Sequence, residues 1–276
     1  MARGNGVQAP EAPALAHPAR QARSQRTQDL LVEAAEALLR EGGLESATVP
    51  AIARRAGVAV GSVYRRFPDK DAVMRAVAER FFVRARALNM RSLQPERWTD
   101  VAPEVIARLF VASIVNSYRH HGDLLRALIL YTRSHPDEGF RARFELFNLE
   151  MMDRVSDVML ARRQDYRHPK PEVALRLGLV TLTSLLQIMV LSEGEVLRLV
   201  RVSDEGLRDE LIGMFLRYVG LEQTQRGQRE ARAIGDRMMR EAREQGIDLG
   251  RPASGEEGRP KSSSRRPSTR PRRRAR

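Results

Sequence analysis

The chain lacks cysteine entirely and has few aromatic residues, which make up 5% of its 276 positions. Without cysteine there is no disulfide framework, no thiolate zinc site and no cysteine nucleophile. Runs of β-branched residues are short, whereas Ala, Leu, Arg and Glu are abundant, so the composition favours helix over strand. It therefore predicts an all-α protein, and the missing cysteine fits a cytoplasmic location.

Long uninterrupted apolar runs are also missing. The most membrane-like segment, residues 173–191, is broken by polar or small residues: Arg176, Gly178, Thr181, Thr183, Ser184 and Gln187. This segment is too polar for a bilayer span, so we expect a helix buried between protein surfaces and no membrane partner. The N-terminus has neither an apolar core stretch nor a cleavage pattern, so we expect no signal peptide.

Positive charge is concentrated at the two ends of the chain. The formal net charge is +13, but residues 259–276 alone hold nine Lys/Arg and no acid. Residues 1–28 hold four arginines against one glutamate, which leaves the middle of the chain near +1. Such tails attract phosphate backbones without reading sequence, or are simply solvated, and the sequence leaves both interpretations open.

The strongest local signal is the stretch TVPAIARRAGVAVGSVYRRF, residues 48–67. Thr48 can cap a helix that tolerates proline in its first turn, and Gly57 permits a tight turn with a positive φ. A second short helix must then stop at Pro68, and Asp69 can cap a further helix that begins at Lys70. The pattern predicts a helix-turn-helix whose second helix is free to enter a DNA groove.

This stretch resembles the DNA-binding domain of the tetracycline-repressor (TetR) family. The pattern T-V-x-x-I-A-x-x-A-G-V-x-x-G-S-V-Y-x-x-F-P-x-K-D-A-V occurs in register, and the likeness covers about residues 23–82. It implies an all-helical homodimer with a three-helix DNA-binding domain, joined through helix 4 to a larger, diverse ligand-binding and dimerisation domain. It does not imply which ligand is bound.

The resemblance also implies roles for individual residues. Tyr64 is expected to contact one phosphate, Lys70 with the following helix N-terminus another, and Thr48 to combine capping with a phosphate contact. Base reading is expected from the exposed start of the second helix, by Ala59, Val60, Gly61, Ser62 and Arg65. The small apolar pair at the start of that set favours contacts with thymine methyl groups.

The segmentation that follows has five parts. We predict a flexible basic arm (1–22), a DNA-binding domain (23–83), a helical ligand-binding and dimerisation domain (84–220), an extra, mostly polar helix (221–249) and a disordered basic tail (250–276). Beyond residue 84, helices are expected at 101–120, 123–133, 137–163, 172–191 and 203–219.

A stripe of large side chains in the second domain predicts an apolar effector pocket, although such a stripe also forms an ordinary core. The candidates are Trp98, Phe110, Tyr118, Tyr131, Phe144, Phe147, Met151 and Gln187. An effector there would bias helix 4 and so change the spacing of two recognition helices, which must suit major grooves about 34 Å apart.

For the dimer interface we predict helix 172–191 packed with helix 203–219 across a twofold axis, with Leu182, Leu186 and Met189 in contact. The reason is composition: the first of these helices is apolar on nearly every face, and such a helix needs partners on both sides.

Enzyme signatures are weak. Residues 4–9 match a dinucleotide fingerprint, and Tyr166 with Lys170 has a dehydrogenase spacing, but no strand precedes the glycines and the lysine lies in a proline-broken link. The adjacent His120 and His121 splay apart on a helix instead of converging on a metal. We expect no enzyme activity, no cofactor and no metal.

The sequence thus favours a sequence-specific, DNA-binding transcription regulator, a repressor released by a small apolar ligand. Its expected partners are a palindromic double-stranded operator and a second copy of itself, in the nucleoid-associated cytoplasm. A nonspecific DNA-coating protein is the competing class, with a steep salt dependence and little sequence preference. Activation in place of repression stays open, because the sequence does not place the operator in a promoter.

Overall fold

A computed structural model describes residues 16–192, 195, 199 and 201–244. The described residues form helices and no strand. The helices are α1 (Ala16–Ser46), α2 (Val49–Arg55), α3 (Val60–Tyr64), α4 (Lys70–Ser92), α5 (Pro103–His120), α6 (Gly122–Ser134), α7 (Glu138–Leu160), α8 (Pro171–Leu191), α9 (Asp204–Val219) and α10 (Gln225–Glu244), with 3₁₀ turns at Pro95–Arg97 and Arg163–Asp165. The predicted all-α fold is confirmed.

Short polar side chains fix where several helices begin. Thr48 Oγ1 accepts a hydrogen bond from the amide of Ala51 at 3.3 Å, and Asp69 Oδ1 accepts one from Ala72 at 2.8 Å. Each bond satisfies an amide that has no partner within its helix. The capping roles predicted for Thr48 and Asp69 are therefore confirmed.

The N-terminus differs from the prediction. α1 begins at Ala16, so residues 16–22, which were predicted to belong to the basic arm, are helical. Residues 1–15 and the predicted basic tail, 250–276, lie outside the described part of the chain. Near its end α1 is kinked at Gly42 and Gly43, where Gly43 has a φ of 64°. This glycine pair interrupts the regular helix before α1 ends at Ser46.

The turn between α2 and α3 is closed by the main chain. The amide of Val58 bonds to the carbonyl of Ala53 at 3.0 Å and that of Gly57 to Arg54 at 3.2 Å, with a φ of 67° at Gly57. This is the Schellman arrangement, in which glycine takes the left-handed position at little cost. The turn directs α3 away from the axis of α2 and exposes one of its faces.

Two apolar cores lie side by side. The first core is formed by α1, α2, α3 and α4, and it includes Leu124 of α6 and Phe140 of α7. The second joins α5, α7, α8 and α9. α4 is continuous through the predicted domain boundary at residues 83 and 84. The two predicted domains therefore share packing, because residues of α6 and α7 contribute to the same core as α4.

α8 has one buried and one exposed apolar face. By length and by a mean hydropathy of 1.8 it could cross a membrane, but it packs on α5, α6, α7 and α9 as a core helix does. The exposed face carries Val173, Leu177, Val180 and Ile188. A Cβ added to Gly178 would lie 3.0 Å from the ring of Phe215, so this glycine lets α8 and α9 approach closely.

This arrangement corrects the predicted interface residues. Leu182 and Leu186 are 1% and 2% exposed, and Met189 is also buried within the subunit. They cannot be the contact surface, because their side chains already fill the second core. A helix that is apolar all round gives no sequence signal for which side faces inward.

α10 docks on α5 through a buried carboxylate. Glu104 accepts hydrogen bonds from the amide and the hydroxyl of Thr224, both at 2.8 Å, at the start of α10. A Cβ on Gly227 would lie 2.3 Å from the same carboxylate, so a larger residue there would displace the Glu104 side chain. Ala231 is buried, which shows that the predicted polar helix has a packed apolar side.

Candidate nucleic-acid interface

α3 has one exposed face and one buried face. Val63 and Phe67 point into the first core, whereas Tyr64 is 55% exposed and Val60 39%. Ala59, Gly61 and Arg65 are exposed as well, and Ser62 is half-buried. The residues predicted to read bases are thus accessible, and a Cβ added to Gly61 would meet nothing within 4 Å.

Arg65 and Arg66, at the end of α3, make different hydrogen bonds. Arg65 Nη2 donates to the hydroxyl of Ser62 at 2.8 Å. Arg66, which the sequence did not single out, donates to the carbonyl of Ser62 at 3.2 Å and to that of Ser24 in α1 at 3.4 Å. Arg66 therefore ties α3 to α1, a long-range contact that local patterns do not reveal.

The predicted phosphate-contacting groups are exposed at the ends of two helices. Thr48 lies at the start of α2, and Lys70, in the first turn of α4, donates from Nζ to the carbonyl of Leu44 at 3.0 Å. Asp69 already caps the N-terminus of α4. A phosphate at this end must share the helix terminus with that carboxylate, so Lys70 is the principal attractive charge.

Arg54 and Arg55, at the end of α2, have different surroundings. Arg55 makes a two-point ion pair with Glu41, with N–O distances of 2.5 and 2.7 Å. The hydrogen bond from Arg55 lowers the pKa of Glu41. Arg54 lies exposed at the end of α2.

A polar junction connects α4 to α6. Tyr131 donates from its hydroxyl to Asp71 Oδ1 at 2.8 Å, and His135 Nε2 lies 3.2 Å from the same carboxylate oxygen. The amide of Asp137 donates to His135 Nδ1, so the neutral imidazole carries its proton on Nε2 and donates to Asp71. Burial alone would raise the pKa of Asp71, but the bonds from Tyr131 and His135 outweigh it and lower that pKa.

The same junction reaches α7 through Arg75. Arg75 Nη1 pairs with Asp137 at 2.8 Å, and its guanidinium stacks 5.0 Å from the ring centre of Phe140. The hydrogen bond from Arg75 lowers the pKa of Asp137 to about 2. The first turns of α4 are therefore bound to the ends of both α6 and α7.

The structure does not bring the eight predicted pocket residues together. Trp98, Phe110 and Tyr118 belong to the second core, and Tyr118 hydrogen-bonds Gln187. Tyr131 packs against the first core, and Phe144 and Phe147 lie 5.0 and 5.2 Å from the ring of Phe82 on α4. Met151 is half-buried on α7. Chain position alone does not show which core a side chain joins.

The comparisons with known proteins agree with this geometry. Residues 31–77 match the family model described as bacterial regulatory proteins, tetR family. A putative TetR-family transcriptional regulator from Mesorhizobium loti is 20% identical, and the match covers 71% of this chain and 97% of that one with a TM-score of 0.53. No curated protein matches the sequence.

Two other solved structures are similar at lower TM-scores. The regulator PfmR from Thermus thermophilus is 16% identical over 71% of this chain and 98% of its own, with a TM-score of 0.49. FadR from Bacillus subtilis, solved with stearoyl-CoA, is 14% identical over 68% and 96%, also at 0.49.

The described residues thus form an all-helical fold whose N-terminal helix-turn-helix, α2 and α3, lies within the segment that matches this family model. Residues 31–77 therefore carry a domain that matches the bacterial regulatory proteins of the tetR family, and the helical fold around it is similar to that of a TetR-family regulator.

Proposed function

We propose that this protein is a dimeric, sequence-specific repressor that a small apolar effector releases from a palindromic operator. The observation that carries the proposal is the exposed start of α3, where Val60, Gly61 and Tyr64 are accessible while Val63 is buried beneath them. A rigidly supported helix with one free face is suited to insertion into a major groove.

Base reading falls to Ala59, Val60, Gly61, Ser62 and Arg65. The first three offer small apolar contacts suited to thymine methyl groups, whereas Arg65 can exchange its bond with Ser62 for a guanine edge. Tyr64, Lys70 and Thr48 supply phosphate contacts, which fix the register of the protein on the duplex but carry no sequence information.

Dimerisation is assigned to the exposed apolar face of α8 together with α9. Val173, Leu177, Val180 and Ile188 recur at helical spacing, and Met214 and Tyr218 of α9 are each 41% exposed. Two copies of this surface would form a four-helix interface across a twofold axis. The twofold axis would repeat α3 at a fixed spacing, as a palindromic operator requires.

A variant pair tests this interface. Leu177→Glu places a charge on the exposed face of α8, whereas Leu146→Glu does the same to an exposed leucine of α7. Light scattering is expected to show monomers for the first variant and dimers for the second. If Leu177→Glu remains a dimer, the α8 surface is not the interface.

The apolar effector is assigned to the second core beside Tyr118 and Gln187. Arg133 of α6 also donates to Gln187, so a polar group lies at the edge of an otherwise apolar region. An effector that displaces α6 or α7 would pull on Asp71 and Arg75 and so move α4. The release mechanism is therefore a movement of α4 that changes the distance between the two copies of α3.

The function is tested by affinity for a duplex selected from a random library. At about 0.15 M salt we expect the selected duplex to bind roughly a thousandfold more tightly than a scrambled one. Fatty acids, simple phenols and naphthalene then serve as effector probes. A compound that both raises the melting temperature and releases the duplex supports the ligand assignment, and failure of the whole panel to do so contradicts it.

A further inference from the structure

A polar cavity of about 180 Å³ lies where the first core meets the turn between α5 and α6. It is lined by Arg40 of α1, by Arg119, His120 and His121 at the end of α5, and by the first residues of α6, Gly122 to Leu124. None of the residues assigned to DNA, effector or dimer contacts lines it. It is thus separate from the proposed function.

The lining is cationic. Two guanidinium groups and two imidazoles face one carboxylate, that of Asp123. The imidazole of His121 accepts a hydrogen bond from Arg40 Nη1 at 2.5 Å, and His120 Nδ1 bonds to the carbonyl of Asn116 at 2.9 Å. These bonds hold both rings in fixed positions at the cavity.

The surroundings add to the positive charge. Arg40 Nη2 pairs with Glu36, which is only 7% exposed. Arg84 and Arg80 of α4 also approach Glu36, at 3.2 and 4.0 Å. Arg80 is closer to Glu33, at 2.8 Å, so the three guanidinium groups share two carboxylates and one positive charge is left over beside the cavity.

We propose that this cavity binds a phosphate group, carried either by inorganic phosphate or by a small phosphate monoester. Guanidinium and imidazole donors suit the oxygens of a tetrahedral oxyanion, and the volume admits one such group. The site joins α1 of the DNA-binding domain to the α5–α6 turn. Its occupant therefore bridges the two domains, which makes it a second effector site, distinct in chemistry from the apolar one.

The experiment is calorimetric titration of the full chain with inorganic phosphate, and separately with glycerol 3-phosphate, at constant ionic strength. Arg40→Gln and Arg119→Gln are each expected to weaken binding about tenfold, since each removes a charge-assisted hydrogen-bond donor. Arg154→Gln is the matched control, because Arg154 has nearly the same exposure as Arg40 and the same i,i+4 pairing with a glutamate.

Asp123→Asn gives a result that damage to the fold cannot imitate. Removing the only carboxylate of the lining is expected to tighten phosphate binding a few-fold, because a like charge near the anion is lost. Binding of the ester alone, with the same variant pattern, identifies a phosphorylated metabolite as the occupant. The proposal is overturned if neither compound binds, or if Arg154→Gln weakens binding as much as Arg40→Gln and Arg119→Gln do.

Discussion

The hydroxyl of Tyr131 on α6 lies 2.8 Å from the carboxylate of Asp71, in the first turn of α4. Lys70, the residue next to Asp71, is a predicted phosphate contact. This hydrogen bond thus links the larger helical domain directly to the predicted DNA-binding surface. The burial of Tyr131, together with its bond to Asp71, raises the pKa of the phenol. The phenol stays protonated and donating at neutral pH.

Tyr131→Phe removes this hydrogen bond and keeps the ring. We expect the free energy of unfolding, measured with urea, to fall by about 1 kcal/mol or somewhat more, because Asp71 loses a donor. Tyr64→Phe, at a tyrosine of α3 that is 55% exposed, is the control and should change stability little. If the two variants lose the same stability, the Tyr131–Asp71 bond is not a significant link.

Lys70→Ala is expected to weaken binding to all DNA sequences alike and to reduce the slope of log K against log salt by about 1. Arg55→Ala removes an equal charge, but that charge is already paired with Glu41. Its slope should therefore change less. Equal slopes for the two variants would show that Lys70 is not a specific phosphate contact.

Gly57→Ala and Gly61→Ala separate stability from DNA binding. Neither added methyl group meets an atom within 4 Å, but Gly57 has a φ of 67° and Gly61 lies within α3. The first variant should therefore lose about 1 kcal/mol of stability through backbone strain alone. The second should fold at least as stably and lose operator affinity, because its methyl group occupies the groove-facing surface. A Gly61→Ala variant with normal affinity would show that α3 does not enter the groove at this point.

Acid titration of stability tests the Arg75–Asp137 pair. The folded-state pKa of Asp137 is about 2, below its ordinary value of 3.8. Its contribution to stability is therefore fully present above pH 4 and is lost as the pH falls from about 4 toward 2. Asp137→Asn, which can still cap α7, should flatten the pH dependence of the melting temperature in that window. An unchanged profile would show that the pair adds no stability.

Leu182→Ala and Leu177→Ala test the assignment of the two faces of α8. Leu182 is buried in the second core, so its truncation should cost about 2–5 kcal/mol within the subunit. Leu177 is 51% exposed, so its truncation should weaken dimerisation more than subunit stability. The measurement is unfolding at several protein concentrations, since only loss of dimerisation depends on concentration. The reverse pattern would restore the original interface prediction.

The helix caps and the turn could be predicted from the sequence, because they depend on residues close together in the chain. Thr48, Gly57 and Asp69 act within three or four residues of their own positions, so their caps and turn were predicted correctly. The face of α8 was predicted wrongly, because an all-round apolar helix carries no orientation signal. The attachment of Tyr131, Phe144 and Phe147 to α4 joins residues about sixty apart and could not be read from spacing.

The most direct test of the central claim is selection of bound fragments from sheared genomic DNA at about 0.15 M salt, with a Tyr64→Ala, Lys70→Ala double variant alongside. The account predicts recovery of a short palindrome by the natural chain and its loss with the double variant. Recovery of unrelated DNA by both proteins would contradict it and show that the basic ends of the chain, not α3, determine binding.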